Sequence, residues 1–427
     1  MKYSSMIVAF VAMVAVSRQG NAHTLLPASL PKDQALALVL KSVEGGSRLV
    51  PAITKLQAAV QARPDDVKAM EQLAQLFIAQ ARLASDETLY VRSELCGQLL
   101  AAQNPNNPTA LLLRGHSLLA MHQFHDAEEI AGRLIKVRQD MQDYALLGDA
   151  LMEQGQLEAA VPMYQAMIDA KPCMPSYSRI AHIRWLKGDV VGAIEMEEQA
   201  IACASYRDPE ALAWVTARLA FYQWQNDELE LAMQTAKRAT QIVPDYPHAL
   251  LVIGRVLLAQ GKAVEAVAQL KKAAATLPLP EVQWALADAL HLAGQNDEAA
   301  IVLVSLKQQG AKADPRSFAL HLATRGVELD QALDLAKAEV MTRRDVFSWD
   351  ALAWAQHASG ASEAALISTR RALAEGTRDA RLFLHAGIIA KAAGEPSLAQ
   401  EQLGKAQQMR RQLLPSEQRL LDESTAN

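Results

Sequence analysis

Aromatic side chains supply only 5% of this 427-residue chain, although 51% of it is hydrophobic. The apolar content is therefore mostly Ala and Leu, a composition that favours helix over sheet and excludes wholesale disorder. An excess of positive charge is missing too: 42 Lys and Arg face 47 Asp and Glu, a formal net charge of −5. With no basic stripe to neutralise phosphates, nucleic acid is excluded as a partner class. No Gly-rich phosphate loop, nucleophile elbow or His-Glu-x-x-His segment occurs, and the acidic residues are spread over solvated faces. The chain is therefore read as non-catalytic and without a cofactor.

Long apolar runs are scarce, and the exception lies at the start. Lys2 precedes an apolar run from Met6 to Val16, and Gly20-Asn21-Ala22 follows. This is the layout of a secretory signal over residues 1–22, with cleavage between Ala22 and His23. The run is shorter than the roughly 20 residues a permanent membrane anchor needs. No cysteine follows it, which excludes lipoprotein attachment. The expected location is periplasmic or secreted, with no transmembrane span after cleavage. Removing Lys2 and Arg18 leaves 40 basic against 47 acidic residues, so the mature chain carries −7.

What the chain has in abundance is repetition. Ala127, Ala160, Ala193, Ala232, Ala266, Ala299, Ala332, Ala365 and Ala399 recur at intervals of 33, 33, 39, 34, 33, 33, 33 and 34 residues. Gly155, Gly188, Gly261, Gly294, Gly326, Gly360 and Gly394 keep step just ahead of them, with Asp227 in the remaining slot. A period near 34 residues marks an array of helix–turn–helix units rather than one globular core. The glycine suits a turn needing positive φ, and the alanine lets a second helix approach the first closely. Pro64, Pro105, Pro172, Pro244 and Pro278 end second helices, because proline cannot continue one.

Two units show the pattern plainly: Tyr144 to Leu151 with Gly155, Ala160, Tyr164 and Pro172, and Leu250 to Leu257 with Gly261, Ala266, Leu270, Ala273 and Pro278. The alternation of large, small and proline at fixed places resembles the tetratricopeptide repeat (TPR) family from about residue 67 to 410. The resemblance implies an all-α, right-handed superhelical solenoid of about ten repeats with capping helices. Residues 23–66 are read as an N-terminal segment with a capping half-repeat from Ala52 to Pro64. Residues 67–312 hold repeats 1–7, residues 313–410 hold repeats 8–10, and 411–427 form a polar cap and tail. The eighth repeat is irregular, its first helix ending at Arg325-Gly326. The run from Phe347 to Trp354, with Gly376 to Gly387, is similar to the end of a group of exported bacterial TPR proteins of unassigned activity.

The resemblance also implies that first helices line a concave groove. In register, Asp149, His182, Trp185, Trp214, Phe221, Trp224, Arg255, Trp284, Asp288, His291, Trp354 and His357 fall on groove positions, as do His116, His248, His321, Phe347 and Asp350. Apolar bodies with polar tips suit an extended peptide, so the expected function is an exported adaptor or scaffold for a peptide or protein partner in envelope assembly. Stacking of tryptophans on sugar rings keeps a second reading open, a glycan-binding component of a polysaccharide export system. Metal binding in the periplasm is the third. It would rest on His116, His122 and His125, on Met163, Met167, Cys173, Met174 and Met196, or on a mature N-terminal His23, none in a standard ligand pattern. Cys173 and Cys203 lie at neighbouring ends of one hairpin, which leaves either a disulfide or two free thiols; Cys96 is read as a buried filler. Oligomeric state is not legible.

Overall fold

A computed structural model describes residues 30–426, except 46, 48, 85 and 87. The expected signal segment and the Ala22–His23 cleavage point lie outside these residues. Every regular element among the described residues is helical. The first eight are α1 (Lys32–Leu40), α2 (Val50–Ala62), α3 (Val67–Ala84), α4 (Thr88–Gln103), α5 (Pro108–Ala120), α6 (Phe124–Val137), α7 (Met141–Glu153) and α8 (Leu157–Ala170). Next come α9 (Met174–Leu186), α10 (Val190–Cys203), α11 (Pro209–Gln225), α12 (Leu229–Ile242), α13 (Pro247–Ala259), α14 (Ala263–Thr276), α15 (Pro280–Leu292) and α16 (Asn296–Ala313). The last are α17 (Pro315–Arg325), α18 (Leu329–Thr342), α19 (Val346–Ala358), α20 (Ser362–Ala372), α21 (Ala380–Ala392), α22 (Pro396–Gln408), a short 3-10 helix Arg410–Gln412, and α23 (Pro415–Thr425). The chain divides into two compact units, with the division between Lys171 and Pro172. The residues on either side of 312/313, where the sequence suggested a change, belong to the same unit.

From α3 to α22 the helices run in consecutive pairs, and the sequence explains each pair locally. In α13 and α14, Pro247 supplies a pre-set φ at the helix start. Gly261 turns the chain at φ 72°, and Ala266, Leu270 and Ala273 are fully buried. Gly254 on α13 receives the Leu270 side chain so closely that a Cβ there would stand 2.5 Å from it. Gly148 receives the Tyr164 ring at the same separation. Small-into-large seating of this kind sets the close approach of the two helices. All seven glycines of the turn series have positive φ, and Asp227, which fills the gap, adopts φ 65°. The nine periodic alanines are buried, eight of them at 0% exposure.

The ends depart from expectation in one respect. α2 is the capping helix read from Ala52 to Pro64, and α17 is short and ends at Gly326 in the left-handed conformation. The terminal segment, however, is not a merely polar cap. Leu413 and Leu421 are buried with Phe383, Leu384 and Leu403, Leu414 is buried too, and Glu417 is only 1% exposed.

Candidate functional site

In the first unit, Asp149 on α7 is buried and accepts the Tyr164 hydroxyl of α8 at 2.9 Å. It braces its own hairpin rather than lining an open surface. His122 sits in the α5–α6 turn at φ 58° and stacks on Phe124 with ring centroids 5.5 Å apart. Among the described residues no group of three His, Cys, Asp or Glu side chains is placed to hold a metal ion.

In the second unit the groove positions meet one another, and this corrects the expectation of a hollow inner wall. Trp185, Trp224, Trp284 and Trp354 are all 4% exposed or less. Trp185 on α9 packs edge-on against Phe221 of α11 at 5.3 Å and stacks on Phe347 of α19 at the same distance. Phe221 in turn lies 5.8 Å from Trp224, over which the Arg255 guanidinium sits at 4.9 Å. Trp354 stacks on His385 at 4.2 Å and on His357 at 5.2 Å, and its indole donates to Thr324 Oγ1 at 3.0 Å. His385 holds Asp350 through Nδ1 at 2.9 Å. Trp214 is half-buried beneath the Arg218 guanidinium at 4.7 Å. Only His291 of the predicted set is exposed, with Nδ1 at 3.0 Å from Asn296 Oδ1. The reason for the closure is cumulative: each pair rotates slightly on the last, and within this unit the later pairs come round against the inner face of the earlier ones.

Backbone participates in that closure. The Thr377 hydroxyl donates to the Leu186 carbonyl, and Lys187 pairs with Glu375 at 2.9 Å. Gly188, at φ 81°, lies so near Gly376 that a Cβ would stand 2.5 Å from its carbonyl oxygen. Further along, Gln412 donates to the Gln225 carbonyl at 2.7 Å and Arg411 pairs with Asp227. On α15 the Trp284 indole donates to Ser416 Oγ at 3.0 Å. Asp288 accepts both from the Ser416 amide at 2.9 Å and from its hydroxyl at 2.6 Å. Beside them Arg381 lies over the Trp284 ring at 5.0 Å and pairs with Glu417.

Burial sets the electrostatics of this interior. It pushes the Asp288 carboxyl above its usual range, against the pull of the Ser416 hydrogen bonds. It drives His182 well below the ordinary imidazole value, with Arg218 adding to the effect. His248 and His321 are held down to about 4, again by burial first, and His357 is lowered by burial and then by His385. These histidines are neutral at pH 7. Glu281 behaves oppositely: burial would raise it, but Arg255 and Arg381 outweigh burial and hold it below the usual carboxylate range. A further buried acid, Glu197 on α10, was not among the predicted residues. Its carboxylate accepts Ser178 Oγ at 2.9 Å and lies 3.9 Å from Arg218.

The Cys173 sulfur, at the start of α9, accepts from the Ser176 hydroxyl at 3.6 Å, and Cys203, the last residue of α10, is exposed. Cys96 is fully buried, and burial pushes its thiol up in pKa.

What the sequence reading missed is the second half of each contact: Thr377, Arg381, His385, Gln412, Ser416 and Glu417. A polar, Arg- and Glu-rich terminal stretch carries no periodic signal that separates a docked segment from a solvated one.

The family model of the tetratricopeptide repeat matches residues 112–175, 145–208 and 251–314. No curated protein matches the chain. Among solved structures, Pseudomonas aeruginosa pilF is similar at 13% identity and TM-score 0.41, over 47% of this chain and 90% of that one. Human IFIT1, solved as a dimer with PPP-AAAA, shares 13% identity at TM-score 0.47, over 90% and 96% of the two chains. The C-terminal part of a TPR repeat-containing protein from Cytophaga hutchinsonii shares 20% identity at TM-score 0.36, over 56% and 97%. The matched segments coincide with the hairpins α5/α6 to α9/α10 and α13/α14 to α15/α16, whose turn glycines and buried alanines carry the repeat signature. Over residues 112–208 and 251–314 the chain carries tetratricopeptide repeats, the helical-solenoid unit of scaffolds for protein–protein interaction.

Proposed function

We propose that the protein is a non-catalytic exported adaptor that holds a polypeptide segment of a partner on the inner wall of its second unit, in the envelope of a Gram-negative bacterium. Export is supported by the apolar run Met6–Val16 and the small residues before His23. The observation that carries the binding reading is the grip of α15 on Ser416. One carboxylate accepts both a backbone amide and a hydroxyl, and a neighbouring indole donates to that same hydroxyl. The wall therefore has the chemistry to hold a polypeptide by its backbone, with an aromatic anchor beside it. The glycan reading has less support, because the tryptophan faces it would need are covered by Phe347, His385 and Arg255.

Two measurements test the proposal. Fractionation of cells expressing the full gene, followed by sequencing of the purified chain's N-terminus, should place it in the periplasm beginning at His23; a cytoplasmic chain with intact Met1 would refute export. Titration of intrinsic tryptophan fluorescence with extended peptides should give a saturable change. A response to oligosaccharides alone would replace this reading with the glycan one.

A further inference from the structure

The segment on the inner wall is the chain's own, and its geometry says what the wall recognises. α23 begins with Pro415 as its first helical residue, and the residue in the capping position is Leu414, whose side chain has no oxygen to accept from the first-turn amides. Helix starts leave such amides unsatisfied unless something caps them. Glu417 reaches back to the Leu414 amide at 2.8 Å, which is half of a capping box. The other half comes from 128 residues away, where Asp288 accepts from the Ser416 amide at 2.9 Å. Asp288 thus does for α23 what an Asp or Ser in the cap position does elsewhere, as Asp379 does for α21 and Asp345 for α19. Arg381 pairs with the third-position carboxylate of Glu417, and Trp284 fixes the second-position hydroxyl of Ser416.

We propose that Trp284, Asp288 and Arg381 form a site that reads an uncapped helix start, with a hydroxyl residue followed by an acid. Residues 410–425 occupy it in cis and are displaced by a partner segment of the same chemistry. The inference rests on the adaptor reading above and adds to it both the ligand class and the closure. A second observation marks the contact as exchangeable. Gln225 Oε1 and Gln412 Oε1, both on residues at least nine-tenths buried, have no hydrogen-bond partner where the segment crosses α11. Polar groups buried without partners make a contact less favourable than one that satisfies them. Besides the packing of Leu413 and Leu421 on Phe383 and Leu403, the segment is held by hydrogen bonds and ion pairs, and a competitor that carries the same polar groups and leucines can replace both.

The test uses the full chain and a fluorescein-labelled synthetic peptide of residues 410–426. Glu417→Lys sets a positive charge against Arg381 and should loosen the cis segment, so this variant should bind the peptide at least tenfold more tightly than the unaltered chain. Adding Asp288→Ala to Glu417→Lys should abolish that gain. Equal binding by the unaltered chain and Glu417→Lys, with circular dichroism unchanged, overturns the closure. Hydrogen exchange on the unaltered chain tests it without any substitution. Amides of α23 should exchange faster than those of α21, and faster still with excess peptide; exchange of the two helices in step under both conditions overturns the proposal. Peptide binding that survives Asp288→Ala would sink this site while leaving the adaptor reading intact. Loss of every peptide response in the fluorescence titration would sink the adaptor reading itself.

Discussion

Glu197 offers the sharpest quantitative test of the interior of the second unit. Its carboxyl is fully buried between α9, α10 and α11, facing Ser178, Arg218 and Tyr222. Burial pushes it from 4.5 up to about 7, even with Arg218 and the Ser178 hydroxyl pulling the other way. A raised folded-state pKa means that stability is fully present below the unfolded value and is lost as pH rises through the folded one. Below about pH 4.5 the group is protonated in both states and contributes no penalty. Between 4.5 and 7 the unfolded chain ionises while the folded chain resists, and above 7 the whole penalty of about 3 kcal/mol applies. Glu197→Gln keeps the size and an acceptor for Ser178 but cannot ionise. Its stability relative to the unaltered chain should therefore rise by about 3 kcal/mol between pH 4 and pH 8. Urea unfolding followed by tryptophan fluorescence is the suitable assay, because all six tryptophans lie beyond Pro172 and report the second unit alone. A difference between variant and unaltered chain that stays flat across this range would refute the reasoning.

Three further outcomes follow from the packing. Gly188→Ala combines φ 81° with a Cβ 2.5 Å from the Gly376 carbonyl oxygen, so it should lower the stability of the second unit by about 2 kcal/mol or more, read from the urea midpoint. Ala266→Leu overfills the fully buried α13/α14 seam and should be destabilising by about 1–3 kcal/mol, whereas Lys262→Leu at the adjacent exposed turn should be near neutral. A thiol reagent should modify Cys203 at once in the folded chain and Cys96 only after denaturation; a chain in which Cys203 fails to react without prior reduction would show that it is bridged after all.

The local rules were legible in the sequence residue by residue. Gly261 and its equivalents, with Asp227 as the substitute, fell where left-handed turns occur, and the nine periodic alanines fell at buried positions, eight of them at zero exposure. Those constraints act over fewer than about 40 residues, within the reach of a single repeat. The groove set was legible as a set and misread in its exposure. Trp185 and Trp284 do sit on first helices facing inward, but what they meet is Phe347 and Ser416.

The sequence by itself determined the helical class, the repeat period, the turn residues and which side chains point inward, since each depends on neighbours a few residues away. Only the tertiary structure decided that the inner wall of the second unit is filled, and by which residues. That outcome depends on how small rotations between successive pairs add up over the array, and no local pattern of residues encodes the sum. The same physical fact turns expected surface tryptophans into interior ones and makes Asp288 the cap of a helix more than a hundred residues away.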